Sequence, residues 1–309
     1  MKKNILLAVL PFVLLLLSAG NDPKLPKLKS ATVAINGTQI MIDQGEVSMA
    51  DWFTFIYKTA YDEKNDGFNQ VRYDSLMPDT NILPQKYRFL VRMFAKLDNF
   101  YGNGGTDKWR WFFGDNTYTL GFFIPVSESV WGVDSLKTKI KNYMKLPVVA
   151  ITYSQAQEYI AWRAQLASAE KKVADDGWKV KGRLMTKEEW QNMATSLGPR
   201  FATNNTAQID TVNTKGCYLL NIRTDKPCES VLEGRKVFGE GAVGVFSYNP
   251  DRNGLYNIFG NVAEMTQEEG IAIGGSYADY GIMCNASKTV SYSKPEPWLG
   301  FRCVFEFSR

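Results

Sequence analysis

The 309-residue sequence has no histidine and only four cysteines. Without imidazole it cannot run Ser-His-Asp or Cys-His catalysis. It also cannot build a zinc site on histidine, or the iron centre that uses two histidines and one carboxylate. Any chemistry falls to carboxylates, thiols, phenols, amines or a metal held by oxygen. An excess of one charge sign is missing too, since 36 basic side chains stand against 32 acidic ones. That balance gives no field for nucleic acid, so no nucleic-acid partner is expected. After residue 20 there is no long hydrophobic run. The early run, Ile5 to Leu17, follows Lys2 and Lys3, contains Pro11 and ends at Ser18-Ala19-Gly20. A spanning helix needs about 20 apolar residues, so the pattern predicts a secretory signal peptide over 1–20. The next residue is Asn21. A bacterial lipoprotein carries its lipid-bearing cysteine there, so this sequence offers no thiol for lipidation. A lipoprotein whose cysteine had been replaced would read the same way. An even number of cysteines in an exported chain implies two disulfides, with three connectivities open.

What remains is enough for a sizeable core. Residues 21–35 open with "NDPKLPKLKS" and read as an exposed linker. The segment 31–47 alternates around Asn36-Gly37, which predicts a short hairpin. Three helix starts carry capping-box spacing: Ser48 with Asp51, Ser154 with Gln157, and Thr186 with Glu189. Apolar residues follow at helical spacing: Trp52, Phe55 and Ile56; Ala156, Tyr159, Ile160 and Ala164; Trp190, Met193, Ala194 and Leu197. These are core positions. Residues 62–146 read as an insertion with a solvated face, with "YDSLMPDTNILP" as loop. Trp109, Trp111, Phe112 and Phe113 there form a candidate patch, with core packing the blander use. After Leu197 the chain is glycine- and asparagine-rich, with "IAIGGSY" and "GFRCVFEF" as strands. The fold class expected is α+β, with 36–309 as one domain.

Six phrases then fall in order: "GEVSMADWFTFI", "LPVVAITYSQAQEYIAWRA", "GRLMTKEEWQNMA", "NGLYNIFGNVAEMT", "IGGSYAD" and "LGFRCVFE". Together, over residues 45–306, they resemble the formylglycine-generating enzyme family, also called sulfatase-modifying factor. The resemblance implies a C-type-lectin-like fold with a few helices, small antiparallel sheets and much irregular structure. In the family's enzymes the Gly-Gly-Ser motif is followed by two cysteines that bind copper and the substrate cysteine. Here Ser276 is followed by Asp279 at the first position, and Cys284 matches the second. One thiol beside a carboxylate cannot supply a two-thiolate copper site, so copper is not expected. Ala263 and Met265 replace the two tryptophans of the usual Trp-Glu-Trp. The iron-dependent branch of the family requires histidine, which is lacking.

Ser276, Asp279 and Cys284 therefore read as vestigial catalytic candidates. The resemblance also implies calcium, with Asn221, Ile222, Asn261 and Glu264 as candidate ligands. The disulfides expected are Cys217–Cys228, a local staple, and Cys284–Cys303, joining the Gly-Gly-Ser loop to the last strand. The "GNVAEMTQEEGIAIGGS" stretch is closest to a Bacteroidota envelope branch that includes gliding-motility and type IX secretion lipoproteins. The expectation is a non-catalytic scaffold or binding protein, exported to the periplasm or the outer-membrane surface. Its partner would be an envelope protein, a glycan or a second copy of the chain. The alternatives are a diverged formylglycine-generating oxidoreductase and a calcium-stabilised glycan-binding or adhesion module.

Overall fold

The computed structural model describes residues 25–26, 28, 30, 32–35, 38–62, 67–85, 87–88, 142–196, 219–223, 241–251 and 253–309. The signal segment over 1–20, the aromatic quartet Trp109, Trp111, Phe112 and Phe113, Leu197, and the Cys217–Cys228 pair lie outside the described residues. Among the described residues no helix is long and apolar enough to cross a membrane.

The expected hairpin forms, with strand β1 (Thr32–Ala34) antiparallel to β2 (Ile40–Asp43) and Val33 opposite Ile42. The final strand β10 (Val304–Ser308) lies between β2 and β5 (Lys179–Arg183), so the sheet order is β1-β2-β10-β5. The two ends of the domain therefore share one sheet, with Val304 opposite both Ile42 and Arg183. A second sheet runs β8-β7-β6-β9, built from β6 (Ala263–Met265), β7 (Ile271–Ile273), β8 (Thr289–Ser291) and β9 (Leu299–Gly300). Its β6–β9 pair is parallel and the others antiparallel. A two-stranded ribbon joins β3 (Tyr61–Asp62) to β4 (Gly67–Phe68). With the helices, this is the α+β arrangement that the sequence predicts.

Capping decides where the helices begin. Helix α1 (Met49–Ala60) starts with a reciprocal exchange: Asp51 N donates to Ser48 Oγ (3.1 Å), and Ser48 N donates to Asp51 Oδ2 (3.2 Å). In α5 (Lys187–Ser196), Glu189 N donates to Thr186 Oγ1 (3.1 Å) and Thr186 N to Glu189 Oε2 (3.0 Å). Helix α3 (Tyr153–Ala169) begins two residues earlier than the Ser154–Gln157 spacing predicts. Its box is Thr152 with Gln155, and Ser154 sits in the first turn. Both spacings are present in "TYSQAQ". The earlier one prevails where it also places Gln155 Nε2 on Ser75 O (2.9 Å). Two further helices are α2 (Gln70–Leu76) and the short α4 (Lys171–Asp175).

The core is an aromatic stack drawn from distant parts of the chain. The Trp52 ring of α1 lies over Tyr159 of α3 at 5.6 Å between centroids, and Phe301, ahead of β10, meets Tyr159 edge-on at 5.5 Å. Edge-to-face and offset pairs of this kind add about 0.5–1.5 kcal/mol each beyond area burial. The Trp52 indole N–H is satisfied by Leu76 O at 3.1 Å. That bond bears on two expectations. The "YDSLMPDTNILP" stretch is not simply loop, because Asn69 caps α2 through Arg72 N (2.9 Å) and the helix runs to Leu76. The start of the 62–146 segment also has a buried side. Tyr73, Leu76, Leu83 and Tyr87 are buried in the main cluster, where they cover α1. The linker reading of 21–35 also changes, since Leu28 is buried against the same cluster.

Helix α3 lies on β5 at Gly182, where an added Cβ would come 2.7 Å from Ile160 Cγ2 and 2.8 Å from Ile160 O. Backbone this close leaves no room for a methyl group. Gly182→Val supplies a good strand former and only overpacks the seam. It should lower the denaturation midpoint by about 1–3 kcal/mol equivalent at unchanged m-value. A wild-type midpoint would show that α3 is not seated on this strand.

Candidate functional site

The loop after β7 turns on two glycines with positive φ, Gly274 (95°) and Gly275 (72°). A Cβ on Gly275 would stand 2.4 Å from Cys284 Sγ. The vacancy is thus filled by the cysteine of the same loop. Ser276 is fully buried. Its hydroxyl donates to Asp279 Oδ2 at 2.7 Å, and its backbone N–H donates to the same oxygen at 2.9 Å. The Ser276 carbonyl in turn accepts from Asp279 N at 3.1 Å. Cys284 is also fully buried, with Sγ 3.9 Å from Ser276 O. Burial, reinforced by the Asp279 charge, pushes the thiol up to about 12. Almost no thiolate exists at neutral pH, and the thiolate is the nucleophile and metal ligand. The structure thus brings Ser276, Asp279 and Cys284 together as a closed turn, with Ser276 and Asp279 hydrogen-bonded to each other.

The expected Cys284–Cys303 disulfide is not formed, and both cysteines are free and buried. They belong to different apolar clusters, Cys284 with Trp190 and Phe259, Cys303 with Trp52 and Phe301. Cys303 is turned toward β2, its N–H donating to Asp43 Oδ2 (3.3 Å), which Arg163 also engages at 3.0–3.3 Å through Oδ1 and Oδ2.

A buried polar network lies behind the loop. Arg302 uses all five of its N–H donors. Nε and Nη2 donate to Glu264 Oε1 (2.9 and 2.7 Å), Nη1 to Asp43 O and Gln44 O (3.1 and 2.9 Å), and Nη2 also to Tyr256 O (2.8 Å). Glu46 is held by two amides, Asn261 Nδ2 on Oε1 (2.8 Å) and Asn257 Nδ2 on Oε2 (3.1 Å). Asn257 and Asn261 both take left-handed φ, 50° and 59°, a conformation asparagine tolerates better than most residues. Burial raises the Glu46 carboxyl to about 7 against the pull of Arg302; Glu264 adds to the rise and Asn257 opposes it.

Of the residues expected to hold calcium, Asn221 and Asn261 meet directly, Asn221 Nδ2 donating to Asn261 Oδ1 at 3.0 Å. That oxygen also accepts from Val243 N (2.8 Å), so both its lone pairs are used. Ile222 packs into the apolar cluster around Trp190. Glu264 is committed through Oε1 to Arg302. Among the described residues no group of three or more acidic, cysteine or histidine side chains could hold a metal ion. Asn261 Oδ1 and Glu264 Oε1 are already occupied by N–H donors, so a hard cation that takes roughly six to eight oxygen ligands would have to displace them or rely on backbone carbonyls.

The sequence profile of the sulfatase-modifying factor enzyme 1-like domain matches residues 19–307. The chain belongs to this family. No curated protein matches the sequence. Among solved structures, the chain is similar to PvdO from Pseudomonas aeruginosa at 15% identity and a TM-score of 0.37. The match covers 53% of this chain and 63% of that one, so it spans less than two thirds of the relative's length. It is also similar to Treponema denticola variable protein 1, at 19% identity and a TM-score of 0.37, covering 52% of this chain and 72% of that one.

Within this sulfatase-modifying-factor chain, Glu46, Asn257 and Arg302 form the buried network, yet sequence reading gave them no role. The signal was a charge inside an apolar phrase, Glu46 in "GEVSM" and Arg302 in "GFRCV". A charge in such a position needs a partner.

Two outcomes follow from the network. The Glu46 carboxyl sits higher folded than unfolded, about 7 against 4.5. Its contribution is therefore complete below about pH 4.5 and fades as pH rises to about 7, for a loss of about 3 kcal/mol. Thermal melts across this window should show that decline in the wild type, and a flatter profile for Glu46→Gln. Identical slopes would mean that Glu46 does not titrate there. Separately, exhaustive chelation followed by calcium addition should leave the melting temperature unmoved, because stabilisation by mass action needs a bound ligand. A rise with calcium would show that the network opens to admit the ion.

Proposed function

We propose that this chain is a non-catalytic binding or scaffold protein of the cell envelope, built on the sulfatase-modifying-factor fold. The observation carrying this reading is the closed turn. Ser276 and Cys284 are fully buried, and the Asp279 carboxylate accepts twice from Ser276. A nucleophile must be reachable and must have a base or a lowered pKa to activate it. Cys284 has neither access nor a lowered pKa, because burial and Asp279 drive its thiol upward. The soft copper ion of the family's oxidases needs thiolate or thioether ligands. Here a carboxylate takes the first cysteine's place, and Cys303 points into a separate cluster.

The early basic-apolar segment supports export. The "GNVAEMTQEEGIAIGGS" resemblance supports a periplasmic or outer-membrane place alongside gliding-motility and type IX secretion proteins. The partner in this reading is another envelope protein.

The test is an oxidation assay. The purified chain is mixed with copper(I), oxygen and a peptide carrying the sulfatase cysteine motif, and products are read by mass spectrometry. No formylglycine should form, and Cys284→Ser should not change the result. Robust formylglycine formation that Cys284→Ser abolishes would establish the oxidoreductase alternative instead.

A further inference from the structure

Among the described residues six large apolar side chains are substantially exposed, and three of them fall within four positions: Tyr280 (41%), Ile282 (64%) and Met283 (36%). They ride on the single 3-10 turn Gly281–Met283. The turn is closed by Met283 N on Tyr280 O (2.8 Å) and Cys284 N on Gly281 O (3.0 Å). Asn285 Nδ2 braces it from outside by donating to Ile282 O at 2.6 Å. Its two ends are fixed as well. Cys284 is the buried plug beneath Gly275, and Asp279 O accepts from Arg223 N at 2.9 Å. The apolar side chains are thus held outward by a braced backbone.

Two exposed cations accompany the turn, one in contact with it and one close in sequence. The Arg223 guanidinium stacks on the Tyr280 ring at 4.7 Å, and Lys288 is exposed nearby in sequence. Neither makes an ion pair among the described residues. The acid of the turn, Asp279, accepts two hydrogen bonds from the buried Ser276 through Oδ2.

We propose that the Tyr280–Met283 turn, with Arg223 and Lys288, docks an acidic, apolar segment of a partner protein. This rests on the binding-protein reading above and supplies its surface and partner chemistry. A protein segment fits better than a bilayer. One short turn with three apolar side chains buries little apolar area in lipid, whereas a tyrosine stacked on an arginine pairs two residue types enriched at interface hot spots. A braced turn also loses little freedom on binding.

The test is panning of a random dodecapeptide phage library on the full chain. Winning sequences should be net negative and carry a leucine, isoleucine or aromatic anchor. A synthetic winner should lose about tenfold or more in affinity to Ile282→Ser and to Arg223→Ala, while Val71→Ser, at another exposed apolar position, leaves it unchanged. Matching melting temperatures confirm that the variants fold. Absence of enrichment, neutral or basic winners, or full affinity in Ile282→Ser would overturn the proposal. So would sedimentation with phosphatidylglycerol vesicles that depends on Ile282. If docking fails and no formylglycine forms, only this surface falls; formylglycine formation removes the parent reading as well.

Discussion

The Arg302 guanidinium is the tie on which the rest of the molecule depends. It is almost fully buried, and its donors end on β2 and the residue after it, on the loop before β6, and on Glu264 within β6. These segments lie up to 259 positions from it in sequence. A buried ion pair adds little beyond a well-packed apolar pair, because both charges must first leave water. Removal of one partner costs about 3–5 kcal/mol, since the other charge is then stranded. Geometry is what the arrangement secures. The five donors of a planar fork fix the relative positions of two sheets that share no strand. Glu46 and its two asparagine amides extend that order to the loops at 221 and 243.

Much of the frame could be read from the sequence where the cause is local. The capping pairs at Ser48 and Thr186 are short-range hydrogen bonds between neighbours, and the strand alternation at Phe301, Cys303, Phe305 and Phe307 matches four buried side chains. Thr152 against Ser154 could not be settled that way, because both spacings satisfy the pattern and the choice involves Ser75, some 80 residues away. The burial of Tyr73, Leu76, Leu83 and Tyr87 was not legible for a similar reason. Their burial comes from covering α1, and a seven-residue helix shows too little period to reveal it.

The site divides along the same line. The grouping of Ser276, Asp279 and Cys284 followed from the family phrases and their spacing. The Cys284–Cys303 pairing failed because nothing in the one-dimensional order says which of two apolar clusters receives each thiol. The calcium ligands were chosen by residue type, and type does not show whether an oxygen has lone pairs to spare. Asn261 Oδ1 has both taken by N–H groups.

The Asp279 staple also sets what a substitution at that position would cost. A cysteine in its place would supply the missing thiol and at the same moment withdraw the acceptor for the Ser276 hydroxyl and amide, both of which are sealed from water. An unpaired buried donor costs about 1–3 kcal/mol. The sulfur of Cys284 would still lie within the space that Gly275 leaves open. A two-thiol version of this loop therefore starts at a cost, and Asp279 holds the turn in its present form.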